Sequence, residues 1–459
     1  MLEKVKPTAM GLDGLPDWFI RLSAPAFAEP LTYLFNLSLD QSVVPHQWKS
    51  SSITPLPKVR HPDTCNDYRP ISITPVVSRI MEKELVRSLI YPVFNHPDYN
   101  HFFSDQFAFR PTGSTTSALI YLLHKLTYLL QEHEYVHIIA LDFSKAFDSV
   151  RHCSLVSKLS NFPVPDCLHN WIVDYLNTRQ HLTKVGRDRS GFLTINASII
   201  QGSGLGLVSY IFSASDLHPV YPLNILFKYA DDTYLLVPAV SSGSIPEELK
   251  NISQWATDNN LKLNTAKSRE MIVCLPKVST LNKPYLTTGL TRVQQLTVLG
   301  VTISDTLSAA AHVHDLATKT AASLYALKTL KAHGLQGQPL WDVTQATLVA
   351  QLTYASPAWS GFLNSEENSK LQSVLNKATR YKLLTPNCKT IDELFNSADT
   401  NLFTAVTSNP DHVLYQLLPP VKQTGYCLRK RTHGFILPQA RSCLLRSNFF
   451  IRMLYSDIY

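Results

Sequence analysis

The chain has 459 residues, of which 45% are hydrophobic and 17% are charged, and its formal net charge is +7. This length is too great for one small core, so the composition predicts a packed globular protein of two or three domains. No apolar run reaches the roughly 18 residues that a membrane span needs, and the first residues lack the hydrophobic core of a signal peptide. These features argue against a membrane protein and against secretion.

Seven cysteines are scattered along the chain and never occur as Cys-x-x-Cys. An odd number without that spacing argues against a disulfide framework and against a structural zinc site. The sequence therefore predicts an intracellular protein with reduced thiols, either in the nucleus or in the cytoplasm.

Positive charge is concentrated at the end of the chain. Residues 420–459 hold seven cations and one acid, a net charge of +6, so the rest of the chain carries about +1. The charged residues are Lys422, Arg429, Lys430, Arg431, Arg441, Arg446, Arg452 and Asp457. This imbalance predicts a polyanionic partner for the tail, whose cations would contact the phosphates if that partner is a nucleic acid.

Aromatic residues are interleaved with these cations and could stack on unpaired bases. They are Tyr426, Phe435, Phe449, Phe450 and Tyr455. The alternative is that these aromatics dock the tail on the preceding helices, while the cations only keep it in solution.

The N-terminal part is predicted to be helical, then extended, then helical again. Residues 1–39 form a helical segment, because apolar residues recur at helical spacing over 15–22 and 31–39. Prolines then break the chain into extended pieces. Strands are predicted at 53–58 and 68–73, and amphipathic helices at 76–90 and 117–130.

Two strand predictions bring acidic residues to the edge of a sheet. The apolar run 135–141 ends at Asp142, as a buried central strand does when it delivers a carboxylate to a sheet edge. Residues 223–229 and 233–237 are predicted to fold back on a tight turn. Asp is depleted in strands and favoured in turns, so Asp231 and Asp232 mark the bend.

The pattern changes near residue 305. Before it, helices are predicted at 166–177 and 246–259, with short strands at 181–185, 192–199, 261–263, 271–275 and 296–303. After it, the predicted elements are helices at 312–332, 340–355 and 366–383. We therefore expect a mixed α and β region over 40–304, a helical region over 305–385, and an irregular basic segment over 386–459.

Three carboxylates at one sheet edge suggest a metal site. Such a group is costly unless cations lie among its members. Carboxylate oxygens suit Mg²⁺, and two ions about 3.5–4 Å apart form the clamp of nucleotidyl transfer. We expect two Mg²⁺ ions, or Mn²⁺ in their place, with Lys58 and Arg69 holding a triphosphate. An isolated Asp-Asp pair would instead be a solvated surface turn.

Seven stretches of the chain carry a resemblance to a known family. Leu-Asp-Phe-Ser-Lys-Ala-Phe-Asp-Ser-Val (141–150), Gln-Gly-Ser (201–203) and Tyr-Ala-Asp-Asp (229–232) resemble motifs A, B and C of reverse transcriptases of non-LTR retrotransposons, of the LINE and jockey type. The other matches, in family order, are 68–72, 106–111, 261–268 and 299–301. The resemblance covers roughly 11–360. It implies an α+β right-hand polymerase, with fingers and palm over 40–304 and a thumb over 305–385.

The resemblance also implies roles for single residues. Asp142, Asp231 and Asp232 would be catalytic metal ligands, and Phe147 would exclude the 2′-hydroxyl of a ribonucleotide. Gln201, Gly202 and Ser203 would lie along the template. Lys58, Arg69 and Arg110 would contact the triphosphate, and Lys267 would lie near its leaving phosphates. A core aromatic at 147 and a simple glycine turn at 202–204 are the alternatives.

The implied activity is RNA-directed DNA polymerisation, with an RNA template, a DNA primer and deoxynucleoside triphosphates as partners and no membrane. Ile200 and Leu207 stand where the family usually has proline, and Ala108 stands where it usually has glycine. An upstream endonuclease, usual in such elements, has no counterpart in this sequence. The alternatives are an inactive relic that only binds nucleic acid and an RNA-dependent RNA polymerase, which Phe147 disfavours.

Overall fold

The computed structural model describes residues 1–275, 284, 286–287, 289–385, 387–422 and 433–456. Among the charged and aromatic residues of the tail, Tyr426, Arg429, Lys430, Arg431 and Asp457 lie outside the described residues. Helices and strands are mixed up to Ser304, and the regular elements from Ala310 onward are helices. The predicted change near residue 305 is therefore observed.

A five-stranded sheet, the central sheet, lies in the first region. Its middle strand pairs antiparallel with both neighbours. Ile138 of this strand packs in one hydrophobic core and Ile139 in another, because successive side chains point to opposite faces. The buried strand and the acidic hairpin predicted from the sequence are confirmed. In spatial order the strands are Thr291–Arg292, Arg269–Cys274, Tyr135–Leu141, Asp232–Pro238 and Ile225–Tyr229.

A second sheet is built on Ser50–Pro57, which pairs antiparallel with Tyr68–Ile73 and parallel with Gln180–Val185. Asp188–Arg189 and Leu193–Thr194 complete it. The predicted strand over 192–199 is wrong for most of its length. The strand ends at Thr194, the Ile195 N–H still donates to the Arg179 carbonyl at 2.9 Å, and Ser198 has a φ of +94°.

Two smaller strand pairs complete the β structure described. Phe143–Ser144 pairs with Lys262–Leu263, and Gln295–Val298 forms a hairpin with Val301–Ser304. The first of these pairs begins one residue after Asp142, so it bears directly on the acidic site.

Helices cover the sheets of the first region. The helix Thr115–Glu132 begins where the Ser114 hydroxyl accepts a hydrogen bond from the Ser117 N–H at 3.0 Å, a stabilising N-cap. Its buried face packs with central-sheet residues such as Val136. The helices are Asp17–Leu22, Ala24–Asp40, Val76–Leu85 continued by a π turn Val86–Ile90 and by Tyr91–Asn95, Thr115–Glu132, Ala146–Ser149, His152–Leu159, Asp166–Leu176, Gly206–Ser213 and Ile245–Asp258.

The helical region is longer than expected. The predicted helices are present, and Ile391–Ser408 and two short helices follow them. In the described ranges, no helix combines the length and the apolar character needed to span a membrane. The helices are Ala310–Ala332, Gln338–Thr344 continued by a π turn Gln345–Val349 and by Ala350–Thr353, Ser356–Trp359, Ser365–Arg380, Ile391–Ser408, Cys443–Arg446 and Phe449–Tyr455.

Residues 433–456, here called the C-terminal segment, are not the irregular tail expected from their composition. Phe449 and Phe450 expose only 2% and 1% of their surface, so they cannot stack on bases. Arg452 pairs with the buried Asp399 at 2.5 Å, and the Tyr455 hydroxyl donates to the Pro438 carbonyl. Phe449 and Phe450 therefore dock this segment on the core, as the alternative given above expected, whereas Tyr455 stays 45% exposed.

One hydrophobic core joins the two regions. It contains Val136 and Phe227 of the central sheet together with Leu352, Leu371 and Phe450 of the helical region. A second core on the opposite face of the sheet holds Ile139 and helices of the first region other than Thr115–Glu132. The sheet is therefore covered on both faces, as its apolar strands require.

Candidate active site

The acidic hairpin ends in a two-residue turn. Tyr229 pairs with Asp232, which leaves Ala230 and Asp231 as the loop. Ala230 has a φ of +57°, in the left-handed region that residues with a Cβ rarely adopt. Such positive φ values are what tight hairpin turns require. Asp231 thus lies at the tip of the turn, and Asp232 is the first residue of the returning strand.

Asp142 reaches the same place from the central strand. Leu141 pairs with Thr233 across the antiparallel ladder, so the next residue on each strand is Asp142 on one side and Asp232 on the other. Directly opposite residues in such a ladder have Cα atoms about 4.5–5.5 Å apart. The register of one sheet therefore brings together three acids that are up to 90 residues apart in the sequence.

The backbone at Asp142 is fixed by the segment that carries Lys267. The Asn264 N–H donates to the Asp142 carbonyl at 2.7 Å, and the Asp142 N–H donates to the Ser268 hydroxyl at 3.3 Å. Because Lys267 lies between these two residues, the same contacts place it at the acidic site.

A cleft of about 620 Å³ opens beside the acids. It brings together Asp142 and Asp231 with most of the residues predicted to bind nucleotide. Asp232 lies beside this cleft and is not part of its lining. The predicted site residues in its wall are Asp142, Asp231, Lys58, Arg69, Phe147, Gln201 and Lys267.

The acids repel one another. Burial of the carboxyl, together with the charge of Asp142, raises the pKa of Asp231, while Arg69 opposes the rise. Partial burial and the charges of Asp231 and Asp142 raise the pKa of Asp232 to about 6. Burial and neighbouring negative charge thus destabilise the ionised forms of Asp231 and Asp232, which is the condition that a bound cation relieves.

The donors suit a hard divalent cation, because all three are carboxylates. In the side-chain positions of the described residues, no three His, Cys, Asp or Glu groups are close enough to hold a metal ion together. Asp142, Asp148 and Asp231 share the cleft wall, so carboxylate oxygens are available to a cation there. The chemistry of the acids, including the raised pKa values of Asp231 and Asp232, fits such an ion.

Four exposed cations line the cleft. Three of them are Lys58, Arg69 and Lys267, as the sequence predicted, and the fourth is Lys145. The Lys58 ammonium donates to the Asn66 carbonyl at 3.0 Å, within the loop that connects the strands Ser50–Pro57 and Tyr68–Ile73. The cations face the two acids across the opening, so the cleft can accept a polyanion next to a metal.

Phe147 is partly buried at the cleft wall. Its ring stacks on Tyr210, with centroids 4.7 Å apart and planes inclined by 27°. Burial and the charges of Asp231 and Asp232 raise the pKa of Tyr210, so this ring lies close to the acids. The Phe147 ring is therefore held in place by a neutral buried phenol.

The residues 201–203 have three different surroundings. The Gln201 amide donates to Asp148 at 2.9 Å at the cleft wall. Gly202 has a φ of +119°, and a Cβ there would lie 2.4 Å from the Ser72 carbonyl oxygen. This contact within the protein therefore requires a glycine at position 202.

Ser203 and Arg110 are engaged inside the protein. The buried Ser203 hydroxyl accepts a hydrogen bond from the Gly206 N–H at 2.8 Å and helps to begin the helix Gly206–Ser213. The Arg110 guanidinium donates to the Phe103 carbonyl at 2.6 Å, and burial lowers its pKa to about 10. Arg110 lines a different cleft, so the structure does not bring it to the acids.

Residues 56–303, just over half of the chain, match the family model described as reverse transcriptase (RNA-dependent DNA polymerase). The chain belongs to the reverse transcriptase family. Its mixed architecture, with mainly antiparallel sheets, is the right-hand polymerase fold of these reverse transcriptases.

Curated relatives of this reverse transcriptase come from mobile elements. The RNA-directed DNA polymerase from mobile element jockey of Drosophila melanogaster is 30% identical over 271 residues, which is 56% of this chain and 29% of the relative. The probable RNA-directed DNA polymerase from transposon BS of the same species is 27% identical over 302 residues, 62% of this chain and 32% of the relative. The chain thus spans about a third or less of their length.

A solved structure of apo telomerase from Candida tropicalis, truncated from its C-terminal domain, is also similar to this reverse transcriptase. The two share 13% sequence identity with a TM-score of 0.39, over 60% of this chain and 58% of the telomerase chain.

Three residues of this reverse transcriptase site had no role in the sequence prediction. They are Lys145 in the cleft, Tyr210 behind Phe147, and Gln106 beside the acidic turn. Lys145 lies within the motif A stretch 141–150, which is a usable signal. Tyr210 and Gln106 come from distant parts of the chain, so only the fold reveals their contacts.

Proposed function

We propose that this chain polymerises DNA on an RNA template by extending the 3′-hydroxyl of a DNA primer with deoxynucleoside triphosphates. The observation that carries the proposal is the cleft in which Asp142 and Asp231 face three predicted cations. A polymerase needs anionic groups for metal ions and cationic groups for the triphosphate at one place.

Divalent metal ions serve the reverse transcriptase family in general. In this chain Asp142, Asp231 and Asp232 would hold two Mg²⁺ ions, or Mn²⁺ in their place. Bound there, the metal supplies charge stabilisation to the attacking and leaving oxygens of an in-line displacement. The raised pKa of Asp232, about 6, supports this assignment, because a cation next to these acids would lower their mutual repulsion.

Cations of the chain would bind the triphosphate. Arg69 lies on the strand Tyr68–Ile73, and Lys58 directly follows its partner strand Ser50–Pro57. Lys267 lies on the segment that is fixed to Asp142. An arginine can contact phosphate oxygens through two N–H groups, and lysine acts as a mobile point charge. Lys267 would neutralise charge on the leaving phosphates.

The sugar and the template would meet the remaining residues. Phe147 would exclude a 2′-hydroxyl, since its ring is stacked on Tyr210 and has little freedom to move aside. Gln201 would contact the template strand from the cleft wall, where Asp148 fixes its amide. Gly202 and Ser203 would support this contact by shaping the loop, rather than by touching the template.

Primer extension tests the proposal. The purified chain is given an RNA template, an annealed DNA primer, Mg²⁺ and deoxynucleoside triphosphates, and the products are resolved by length. Template-dependent extension is expected, and ribonucleotides should be used poorly. Binding of the primed template without extension would instead identify a catalytically inactive relic. Equal use of ribonucleotides would favour an RNA polymerase.

A further inference from the structure

Gln106 is a buried side chain beside the acidic turn. It exposes only 2% of its surface, and its carboxamide oxygen Oε1 accepts hydrogen bonds from the N–H groups of Ala108 and Ala230, each at 3.0 Å. Its Nε2 donates to the Ala230 carbonyl at 3.5 Å. One side chain therefore contacts both peptide groups of the residue with the left-handed conformation.

The backbone of Gln106 is fixed on the outer edge of the central sheet. The Lys228 N–H donates to the Asp105 carbonyl at 2.7 Å, and the Phe107 N–H donates to the Lys228 carbonyl at 3.0 Å. Gln106 and Lys228 thus form a parallel bridge. This bridge places Gln106 directly beside Lys228 at the edge of the sheet. The Gln106 side chain therefore reaches Ala230 in the turn, two residues further along the chain.

Lys228 is itself held from the other side. It exposes 1% of its surface, and its ammonium donates to the carbonyls of Ala214 and Leu217 and contacts Asp105 at 3.1 Å. The bridge is therefore anchored to the chain that follows helix Gly206–Ser213, and Gln106 has little freedom to shift. A buried amide with its donor and acceptor both used is a strong orienting group.

We propose that Gln106 is a positioning residue of the polymerase, which holds Ala230 in its left-handed conformation and thereby orients Asp231 towards the cleft. The Ala230 N–H and carbonyl lie on the two sides of its Cα, so bonds to both restrict its φ and ψ together. Asp231 is the next residue, and its direction follows from these angles. The proposal rests on the proposed polymerase function, because it assigns Asp231 to the metal.

Gln106→Leu removes the amide and keeps a similar volume. Loss of a group that orients a metal ligand typically lowers activity or metal affinity about 10–100-fold. We expect kcat for primer extension to fall by about that factor, while KM for the deoxynucleotide changes less than about threefold. We also expect Mn²⁺ affinity to fall by at least about fivefold. Free Mn²⁺ measured by EPR reports this affinity without any turnover.

Adding Ala230→Gly to Gln106→Leu should partly restore kcat and Mn²⁺ affinity. Such a recovery is not expected if Gln106 is only a packing residue. Glycine adopts positive φ without a steric cost, so the turn no longer depends on Gln106 to the same degree. In the double variant, kcat and Mn²⁺ affinity should recover at least about fivefold relative to Gln106→Leu. Ala230→Gly alone should bind Mn²⁺ as the parent does.

Asn224→Leu is the matched control. It also removes a buried amide, which donates to Ser244 and Glu248 away from the acidic turn, and it leaves the hydrogen bonds of Gln106 in place. Unfolding free energies are measured for both variants. If Asn224→Leu lowers kcat and Mn²⁺ affinity as much as Gln106→Leu at equal loss of stability, Gln106 is only a packing residue. If Gln106→Leu does not fold, Gln106→Met is measured instead, since the flexible methionine side chain fills the same space.

The outcomes separate this inference from the function on which it rests. A parent that binds Mn²⁺ but does not extend primers contradicts the polymerase proposal, while the effect of Gln106→Leu on Mn²⁺ binding still decides the positioning role. A parent that binds no Mn²⁺ contradicts the metal assignment and the positioning role together. Unchanged kcat and Mn²⁺ affinity in Gln106→Leu would overturn the inference alone.

Discussion

The cleft and the C-terminal segment use their charged residues in opposite ways. At the cleft, burial and neighbouring negative charge raise the pKa of Asp231 and of Asp232, and the cations of the wall remain exposed. In the C-terminal segment, Arg452 is paired with Asp399, and Phe449 and Phe450 are buried in the core. Charge that the fold leaves uncompensated marks a site for a ligand, whereas charge that the fold neutralises serves stability.

The largest expected effect concerns the uncompensated acids. Asp231→Asn should lower primer extension about 1,000-fold, equivalent to about 4 kcal/mol, because one metal ligand is lost. Binding of the primed template, measured by fluorescence anisotropy, should be nearly unchanged. Asp188→Asn makes the same charge change at an exposed position outside the cleft and should extend as the parent does. Parental extension by Asp231→Asn would refute the assignment of this acid.

The neutralised pair should affect stability instead. Arg452→Met leaves Asp399, which is 2% exposed, without its cation, so the free energy of unfolding should fall by about 3–5 kcal/mol. Urea denaturation of the variant and of the parent measures this loss. Arg446→Met is the control, because Arg446 is exposed and such changes are usually within about 0.5 kcal/mol. A loss below about 1 kcal/mol would mean that the pair is not important for folding.

Substrate choice should depend on Phe147. Phe147→Ala should reduce the preference for a deoxynucleotide over its ribonucleotide analogue at least about tenfold, since the ring that excludes the 2′-hydroxyl is removed. The ratio of kcat/KM for the two nucleotides gives this preference. Phe192→Ala, at a 51% exposed position, should leave the ratio unchanged. A parental ratio in Phe147→Ala would reduce Phe147 to a packing residue.

A smaller effect follows from the raised pKa of Asp232. In the folded chain its pKa is about 6, above its ordinary value of 3.8, so the folded state keeps a proton that the unfolded state has lost. The free energy of unfolding of the metal-free protein should therefore decrease as the pH rises from about 4 to about 6. Asp232→Asn should be more stable than the parent at pH 7 in EDTA, and the two should converge towards pH 4.

Such convergence is checked by thermal unfolding of both proteins across this pH range in EDTA. Asp188→Asn again serves as the matched control and should follow the parental curve. A variant that is no more stable than the parent at pH 7 would show that the acids do not repel one another in the folded chain.

The smallest effect concerns cations that the C-terminal segment leaves exposed. Arg441 and Arg446 are exposed, so each could still neutralise one phosphate of an RNA strand. Replacing both by Gln should flatten the dependence of log affinity on log salt by about 1.4, or about 0.7 for each phosphate lost. RNA affinity at several salt concentrations gives the slope. An unchanged slope would mean that this segment has no part in RNA binding.

The acidic site was predictable from the sequence because its signals are local. An apolar run before Asp142 indicates a central strand, and paired Asp residues between two apolar runs indicate a hairpin. Lys58, Arg69 and Lys267 followed from the resemblance of their stretches to known motifs. The structure brings each of them to the cleft.

Contacts between distant residues were not predictable in this way. Arg452 belongs to a basic stretch, and nothing near it in the sequence indicates that Asp399, in another helix, neutralises it. Arg110 lies within a family motif, yet its donors are used by backbone carbonyls of the same loop. Gln106 contacts a residue more than a hundred positions away. Composition gives the number of charged groups. Only the tertiary contacts show which of them are paired and which remain exposed.

The core shared by the central sheet and the helical region limits how this protein can be divided. A fragment ending near residue 304 would leave Phe227 and Val136 with only part of their packing partners, since Leu352 and Phe450 would be missing. Exposed apolar surface of this kind promotes aggregation. Chimaeras between related chains should therefore exchange the sheet and the helices together, and surface turns such as 186–187 are better crossover points than the boundary between the two regions.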